Sequence, residues 1–286
     1  VSSVRVISRS EGRLRRAFPE ARFEKRAADA LDSTATRAAL EGCDAVFDCI
    51  GLPMETIEQH PATARVIARA AQDTGARIVH VSSYWAYLPV QRLPLDETHP
   101  RSDGPRPVRM RREAEDILQQ AGAAVVHLPD FFGPEVHTST LQNALVEAAA
   151  GKTVHWIGPT SVEREYAYVP DAMAAVAELA RREAAYGERW IVPGAGPASF
   201  DALLAIVAKH LGRAPKAQAA SPWLLRLLGM VSRELRGFLP LVPHYVRPIR
   251  YDGAKLAALI GDVRRTPYER SLPATLSWLQ HRDSGR

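Results

Sequence analysis

The sequence predicts an α/β protein: a parallel sheet wound with helices on both faces, followed by a smaller α/β lobe. Through the first half of the 286 residues, strand-like stretches alternate with helix-like ones, which is typical of βαβ units. Several apolar runs end abruptly in glycine or serine, as "DAVFDCIG" and "RIVHVSS" do, which suits strands buried inside a sheet. Past Phe131 the elements follow at closer intervals, which indicates a second lobe.

In the first half each predicted strand is followed by a predicted helix. "VRVISRS" predicts a strand over residues 4–8, and Ser10 is placed to cap a helix over residues 11–18. In "PATARVIARAAQDTG" the apolar residues recur on one helical face before the next strand begins. The other predicted strands are 44–51, 77–83 and 123–130, and the other predicted helices are 33–42, 61–75 and 109–121.

The second half predicts shorter elements. Asp171, just before "AMAAV", is interpreted as a helix cap. We expect residues 1–133 to form the first domain and residues 134–286 to form the smaller lobe, some of whose segments return to the first domain. The predicted strands are 154–158, 164–169 and 189–194, and the predicted helices are 139–150, 171–184 and 200–211.

Composition indicates a soluble globular protein that binds small molecules. The net charge is only +5 and is spread along the chain, so an anionic small ligand is favoured over nucleic acid. The two cysteines, Cys43 and Cys49, have neither a CxxC spacing nor a zinc-type Cys/His spacing, so we expect a reduced cytoplasmic location and no metal. Arginines and a glutamate interrupt the apolar stretch 222–242, which predicts a core or dimer-interface helix, and hence a possible homodimer, rather than membrane contact.

Several motifs, in this order, resemble the extended and atypical branches of the short-chain dehydrogenase/reductase superfamily, the NAD(P)-dependent epimerases and dehydratases. The likeness covers nearly the whole chain and implies a Rossmann-like first domain and a substrate lobe. Each motif alone is weak, and the resemblance depends on their order and spacing. The motifs are "VRVISRS" for the second strand of the family, "ADALD" for the adenine segment, "DAVFDCIG", "IVHVSSYWAY" with its serine, "LPDFFGP" and "YAYVPDAM".

The resemblance implies a dinucleotide site along one edge of the sheet. In an open parallel sheet ligands bind beyond the carboxyl ends of the strands, where Arg9, Gly51, Ser83 and Asp130 all fall, so we expect one pocket there. The cofactor-binding residues would be Arg9, Asp29, Ala30, Cys49, Ile50, Gly51 and Pro129, and the substrate pocket would include Trp85, Asp130 and Phe131.

Arg9 indicates the choice of cofactor. A basic side chain just after the second strand can pair with a ribose 2'-phosphate, whereas an acid there favours the free hydroxyls of NAD. We therefore expect NADP, with NAD possible. The alternatives are that Arg9 is only a solvated charge, that Asp29 is a turn residue and that Cys49 is a small buried apolar residue.

The first departure from the family is the missing glycine-rich turn, which would hold a pyrophosphate on backbone amides and a helix N-terminus. Neither G-x-G-x-x-G nor G-x-x-G-x-x-G occurs anywhere in the sequence. Because the sequence starts just before what resembles the second strand, we expect that one βα unit of roughly thirty residues has been omitted.

The second departure concerns proton transfer. Catalytic members of the family use a tyrosine with a lysine four residues later, and a serine that orients the substrate. Ser83 matches the serine, but counting back from "RREAEDIL" places Pro107 at the tyrosine position and Arg111 at the lysine position. We expect Tyr84 to replace the tyrosine, with Ser83 and Arg111 as its catalytic partners. The alternative is that Tyr84, Trp85, Phe131 and Phe132 only line the pocket or the core.

The sequence thus predicts an NADP-linked oxidoreductase or epimerase-like protein that acts on a small organic substrate between the lobes. A non-catalytic dinucleotide-binding sensor is the first alternative, because such a protein would not need the Tyr and Lys pair. A scaffold that has lost the cofactor is the second. His80 and His127 lie inside strand patterns and are interpreted as packed rather than catalytic.

Overall fold

The computed structural model describes residues 3–220, 223, 225, 229, 230 and 232–284. The strands in this part of the chain are β1 (Val4–Ser8), β2 (Phe23–Ala27), β3 (Ala45–Asp48), β4 (Arg77–Ser83), β5 (Ala124–Leu128), β6 (Asp130–Phe132), β7 (Val154–Ile157), β8 (Glu163–Tyr168), β9 (Arg189–Ile191), β10 (Pro197–Ser199) and β11 (Ala217–Ala220). The helices are α1 (Glu11–Ala17), α2 (Ser33–Leu40), α3 (His60–Thr74), α4 (Arg106–Gln120), α5 (Thr140–Ala149), α6 (Val169–Leu179), α7 (Phe200–Leu211), α8 (Arg233–Phe238), α9 (Val242–Tyr245), α10 (Ala254–Ile260) and α11 (Tyr268–Ser284). Short 3₁₀ turns span Met54–Gln59, Tyr84–Tyr87, Glu183–Ala185 and Leu239–Leu241.

The central sheet has four parallel strands in the order β3-β4-β5-β9. Alternate residues of its strands enter two different cores. Ile78 and Val125 pack with apolar side chains of α3 and α4, whereas Val79 and Val126 pack with side chains of α6. Because helices cover both faces, the prediction of a doubly wound parallel sheet is confirmed.

Two further strands, β1 and β2, form a separate parallel pair. Within the described residues, β1 pairs only with β2 and β3 pairs only with β4, so each keeps one edge without a strand partner. Apolar side chains are exposed there: Val4 and Ile7 on β1 are 42% and 39% exposed, and Phe47 on β3 is 46% exposed. This half of the fold is therefore much less enclosed than the four-stranded sheet.

Helix ends follow the local signals in the sequence. Ser10 caps α1 by accepting a hydrogen bond from the backbone N–H of Arg13, and Asp32 caps α2 in the same way. Helix α3 ends at Gly75, whose φ of 75° is left-handed backbone and thus favours glycine. These signals explain why α1 and α3 were predicted to within a few residues.

The second half packs around an aromatic core between α5, α7 and α11. Trp156 on β7 stacks on Phe200 with ring centroids 3.8 Å apart. Strand β8 pairs with β6 in parallel and with β10 in antiparallel orientation, and β11 pairs with β7. Strand β9, although it follows these elements in sequence, joins β5 in the central sheet.

Strand β2 and Asp171 show two of the differences from the sequence predictions. Strand β2, with the sequence "FEKRA", was not predicted, because charged residues occupy three of its five positions. Asp171 is not a helix cap: α6 begins two residues earlier, and the Asp171 carboxylate accepts hydrogen bonds from Arg264 Nε and the Thr266 amide. It therefore holds the loop before α11.

The predicted helix across 222–242 falls partly on residues outside those described; within its described part, α8 begins at Arg233 and α9 at Val242. Of the helices in the described part of the chain, none combines the length and the apolar character needed to cross a membrane.

Candidate functional site

The candidate site begins where β4 ends. Ser83 is the last residue of β4 and is half-buried. Its Oγ accepts a hydrogen bond of 3.2 Å from the backbone N–H of Trp85 and so caps the turn Tyr84–Tyr87. The Ser83 hydroxyl proton is not used by this contact, so it can still be donated to a substrate oxygen.

Tyr84 is the phenol closest to Ser83 in sequence, and it is only 1% exposed. Its oxygen accepts a hydrogen bond of 2.9 Å from Arg164 Nη2 on β8. Burial raises the pKa of Tyr84, and the positive charge of Arg164 opposes that rise. Tyr84 is thus a protonated phenol beside a guanidinium that would stabilise its anion.

Arg111 on α4 lies over the indole ring of Trp85, with its guanidinium carbon 5.0 Å from the ring centroid. Trp85 Nε1 in turn donates to the hydroxyl of Tyr245 at 3.3 Å. Burial lowers the pKa of Arg111, and Glu115 and Tyr245 oppose that decrease. Pro107 is buried in the first turn of α4, where a proline fits without loss of a helical hydrogen bond.

Asp130 lies two residues beyond β5 and opens β6. Burial raises the pKa of its carboxyl group to about 6, against the opposing charge of Arg164. Its Oδ2 atom has no hydrogen-bond partner among the described residues. Phe131, the next residue, is half-buried, and its carbonyl accepts from Ser139 Oγ.

The structure therefore brings the predicted catalytic residues into one cluster: Tyr84 and Trp85 follow Ser83 directly, and Arg111 covers Trp85. Arg164 and Tyr245 complete it and were missed by the sequence analysis. They lie about 80 and 160 residues after Tyr84 in the chain. The only signal for Arg164 was a charged residue at an inward position of the pattern "REYAYV".

A second buried polar group supports the strands behind this cluster. Glu115 on α4 is fully buried, and it accepts hydrogen bonds of 2.5 Å from Ser82 Oγ and 3.0 Å from Arg101 Nη2. His127 Nε2 lies 3.2 Å from the same carboxylate. His80 pairs with Asp48 across β3 and β4 at 2.8 Å. Both histidines are packed in the interior, as the strand patterns indicated.

The predicted cofactor-binding residues are more exposed. Arg9, Asp29, Cys49 and Gly51 are all exposed, Ala30 and Ile50 are half-buried, and Pro129 is buried. Asp29 has the geometry of a turn, because its Oδ1 accepts from the amide of Leu31. The alternative in which Cys49 is a small buried residue is wrong, since Cys49 is exposed.

These residues fit a dinucleotide at two places. The Arg9 guanidinium follows β1 and makes no ion pair or side-chain hydrogen bond with any described residue, so it is free to pair with a phosphate. Gly51 follows β3, and the space where its side chain would lie is open. When bound, a nicotinamide cofactor supplies or accepts a hydride.

The first part of the chain is similar to a known protein family. Residues 2–128 match a family model described as NAD(P)H-binding. No sequence match to a curated protein was found.

Solved structures with a similar fold include several epimerases and dehydratases. An epimerase from Methanothermobacter thermautotrophicus has a TM-score of 0.82 at 14% identity, over 99% of this chain and 86% of that one. UDP-glucuronic acid 4-epimerase from Bacillus cereus, in complex with UDP-glucuronic acid and NAD, has a TM-score of 0.80 at 13% identity, over 98% and 91%. dTDP-glucose 4,6-dehydratase from Bacillus anthracis, in complex with NAD, has a TM-score of 0.80 at 10% identity, over 99% and 89%.

At these identities the similarity concerns the fold. The chain therefore has the fold of these epimerases and dehydratases, and its residues 2–128 match the NAD(P)H-binding family model.

Proposed function

We propose that the protein is an NADP-linked oxidoreductase or epimerase-like enzyme of the atypical short-chain dehydrogenase/reductase type, acting on a small organic substrate. The observation that carries the proposal is the buried phenol of Tyr84, which is hydrogen-bonded to Arg164 and belongs to the residue that follows Ser83 at the end of β4. In an open parallel sheet this is the edge at which ligands bind. Residues 1–133 would bind the dinucleotide, and residues 134–286 would contribute the substrate lobe.

In this proposal Tyr84 holds the proton that the substrate oxygen receives. The Arg164 guanidinium stabilises the phenolate that is left behind, as the lysine does in other members of the family. Ser83 orients the substrate oxygen through its free hydroxyl proton, and Arg111 brings a second positive charge to the turn. Trp85, Asp130 and Phe131 would line the substrate pocket.

The choice of NADP rests on Arg9. Its guanidinium is unpaired in the described part of the chain and stands just past the end of β1, which suits the 2'-phosphate of NADP better than the hydroxyls of NAD. A cytoplasmic location and a homodimer complete the proposal, and analytical ultracentrifugation of the purified protein tests the dimer.

A non-catalytic dinucleotide sensor is the second candidate. It is favoured by the 1% exposure of Tyr84, which restricts access to its proton, and by Pro107 and Arg111 at the positions of the usual tyrosine and lysine. For a sensor neither feature is a defect.

The experiment is a set of absorbance assays in which NADPH is mixed with the protein and a panel of small aldehydes and ketones. The proposal predicts a protein-dependent loss of NADPH absorbance with at least one carbonyl compound. Binding of NADPH without turnover of any compound would instead favour the sensor.

A further inference from the structure

A cavity outside the candidate site lies between the segment that follows the turn Tyr84–Tyr87 and the segment around α9. Its volume is about 330 Å³, at the lower end of the roughly 300–1,000 Å³ typical of small-molecule sites. The lining shares no residue with the candidate site, so its interpretation does not depend on the proposed function. The lining residues are Leu88, Val90, Gln91, Arg92, Leu93, His244, Arg247, Pro248 and Ile249.

The lining divides into an apolar part and a basic part. Five of the nine residues are aliphatic or proline, three are Arg or His, and none is acidic. Arg92 is paired with Asp96 at 2.8 Å, which balances its charge. Arg247 is exposed and has no side-chain partner among the described residues, so its positive charge is uncompensated.

Buried side chains hold in place the first wall of the cavity, which is formed by Leu88 and residues 90–93. Arg112, which is 9% exposed, donates to the carbonyl oxygens of Ala86 and Leu88, both at 2.6 Å. His99, which is 3% exposed, accepts from the backbone N–H of Gln91 at 2.9 Å. The first wall therefore has a fixed backbone.

The second wall, which is formed by His244 and residues 247–249, is held in the same manner. Arg164 Nη1 donates to the carbonyl oxygens of His244 and Arg247 at 2.9 and 2.8 Å. The amide of Ile249 donates to the carbonyl of Glu163. Because both walls are fixed before any ligand arrives, binding there would cost little ordering of the chain.

We propose that this cavity binds a small amphipathic anion, with an aliphatic part against Leu88, Val90 and Ile249 and a carboxylate or phosphate on the Arg247 guanidinium. A half-open, largely apolar cavity with one unpaired guanidinium favours such a ligand over a neutral alcohol of the same length. The carboxylate and the phosphate share the chemistry that Arg247 recognises, and the experiment separates them.

The test is isothermal titration calorimetry of the protein, without dinucleotide, against octanoate, octyl phosphate and octan-1-ol. We expect saturable binding of at least one of the two anions, at least about tenfold tighter than that of octan-1-ol, as for one hydrogen bond to a charged group. The tighter of the two anions identifies the headgroup. Failure of both to bind, or equal binding of the alcohol, would overturn the proposal.

Arg247→Gln is expected to weaken the anion about tenfold or more and to leave octan-1-ol unchanged. Arg250→Gln is the matched control, because Arg250 is an exposed arginine three residues away that does not line the cavity. Equal losses in the two variants would show only general attraction of anions to a basic surface and would contradict a site at Arg247.

Discussion

The two ends of the candidate dinucleotide site differ in how much of their geometry the protein fixes by itself. At the end of β4, Tyr84 is 1% exposed and bonded to Arg164, and Trp85 lies between Arg111 and Tyr245. At the end of β1, Arg9 is exposed and has no partner within the described residues. The buried end is organised before a ligand binds, whereas the charge of Arg9 is still available.

In the proposed function, this difference would separate the tasks of the two ends. A group that moves a proton must be held at a fixed place and in a fixed protonation state, which the buried cluster provides. A group that recognises a phosphate needs an available charge, which Arg9 provides. The account therefore predicts changes in turnover at the buried end and changes in cofactor affinity at the exposed end.

The largest expected effect is at Tyr84. If Tyr84 gives the proton, Tyr84→Phe should lower turnover by a factor of about 10² to 10⁴ and leave NADPH affinity intact, which steady-state kinetics and NADPH titration measure. Ser83→Ala should act in the same direction but less, because Ser83 only orients the substrate.

Tyr87→Phe is the matched control for that change. Tyr87 is also buried, and its hydroxyl has no hydrogen-bond partner among the described residues, so its loss should have a mild effect. Full activity of Tyr84→Phe would contradict the proposal that Tyr84 replaces the usual tyrosine. Water or the substrate would then have to supply the proton.

The next largest effect is expected on the stability of the fold, at the buried Glu115. Glu115→Ala leaves the buried His127 without its carboxylate and the half-buried Arg101 with only that of Asp116, so we expect a loss of about 3–5 kcal/mol in the free energy of unfolding, measured by urea denaturation. The control is Glu113→Ala on the same helix. Glu113 pairs with Arg65 at the surface, and its loss should cost less than about 1 kcal/mol.

Glu115 also predicts a dependence on pH. Burial alone would raise its pKa, but His127, Arg101 and Ser82 hold the pKa at about 2, below the usual 4.5. The native state therefore gains stability from ionised Glu115 above about pH 4.5 and loses it as the pH falls toward 2. Glu115→Gln should flatten this part of the stability curve, and an unchanged curve would mean that other carboxylates cause the acid sensitivity.

The sequence predicted the strands and helices better than the long-range contacts of the buried end. Strands β1, β4 and β5 and helix α7 follow from apolar periodicity and from caps such as Ser10, which are local signals. Arg164 and Tyr245 reach the site only through the pairing of β6 with β8 and the path of the chain after it, which no local pattern contains. Strand β2 was missed because its side chains are mostly charged, so that only its pairing with β1 makes it a strand.

At the exposed end, prediction from the sequence is limited for a different reason. Arg9 was identified from its place after a strand, and the structure adds that its guanidinium is unpaired. Since that side chain is exposed and makes no hydrogen bond or ion pair with any described residue, its role depends on the ligand and cannot follow from packing. A binding measurement is therefore the direct test.

That measurement is a calorimetric comparison of NADP⁺ and NAD⁺ on the wild-type protein and on Arg9→Ala. If Arg9 pairs with the 2'-phosphate, the substitution should weaken NADP⁺ by about 1.5–3 kcal/mol, as for a hydrogen bond to a charged group, and leave NAD⁺ nearly unchanged. A uniform loss for both dinucleotides, or no loss for either, would contradict the assignment of cofactor recognition to the exposed end.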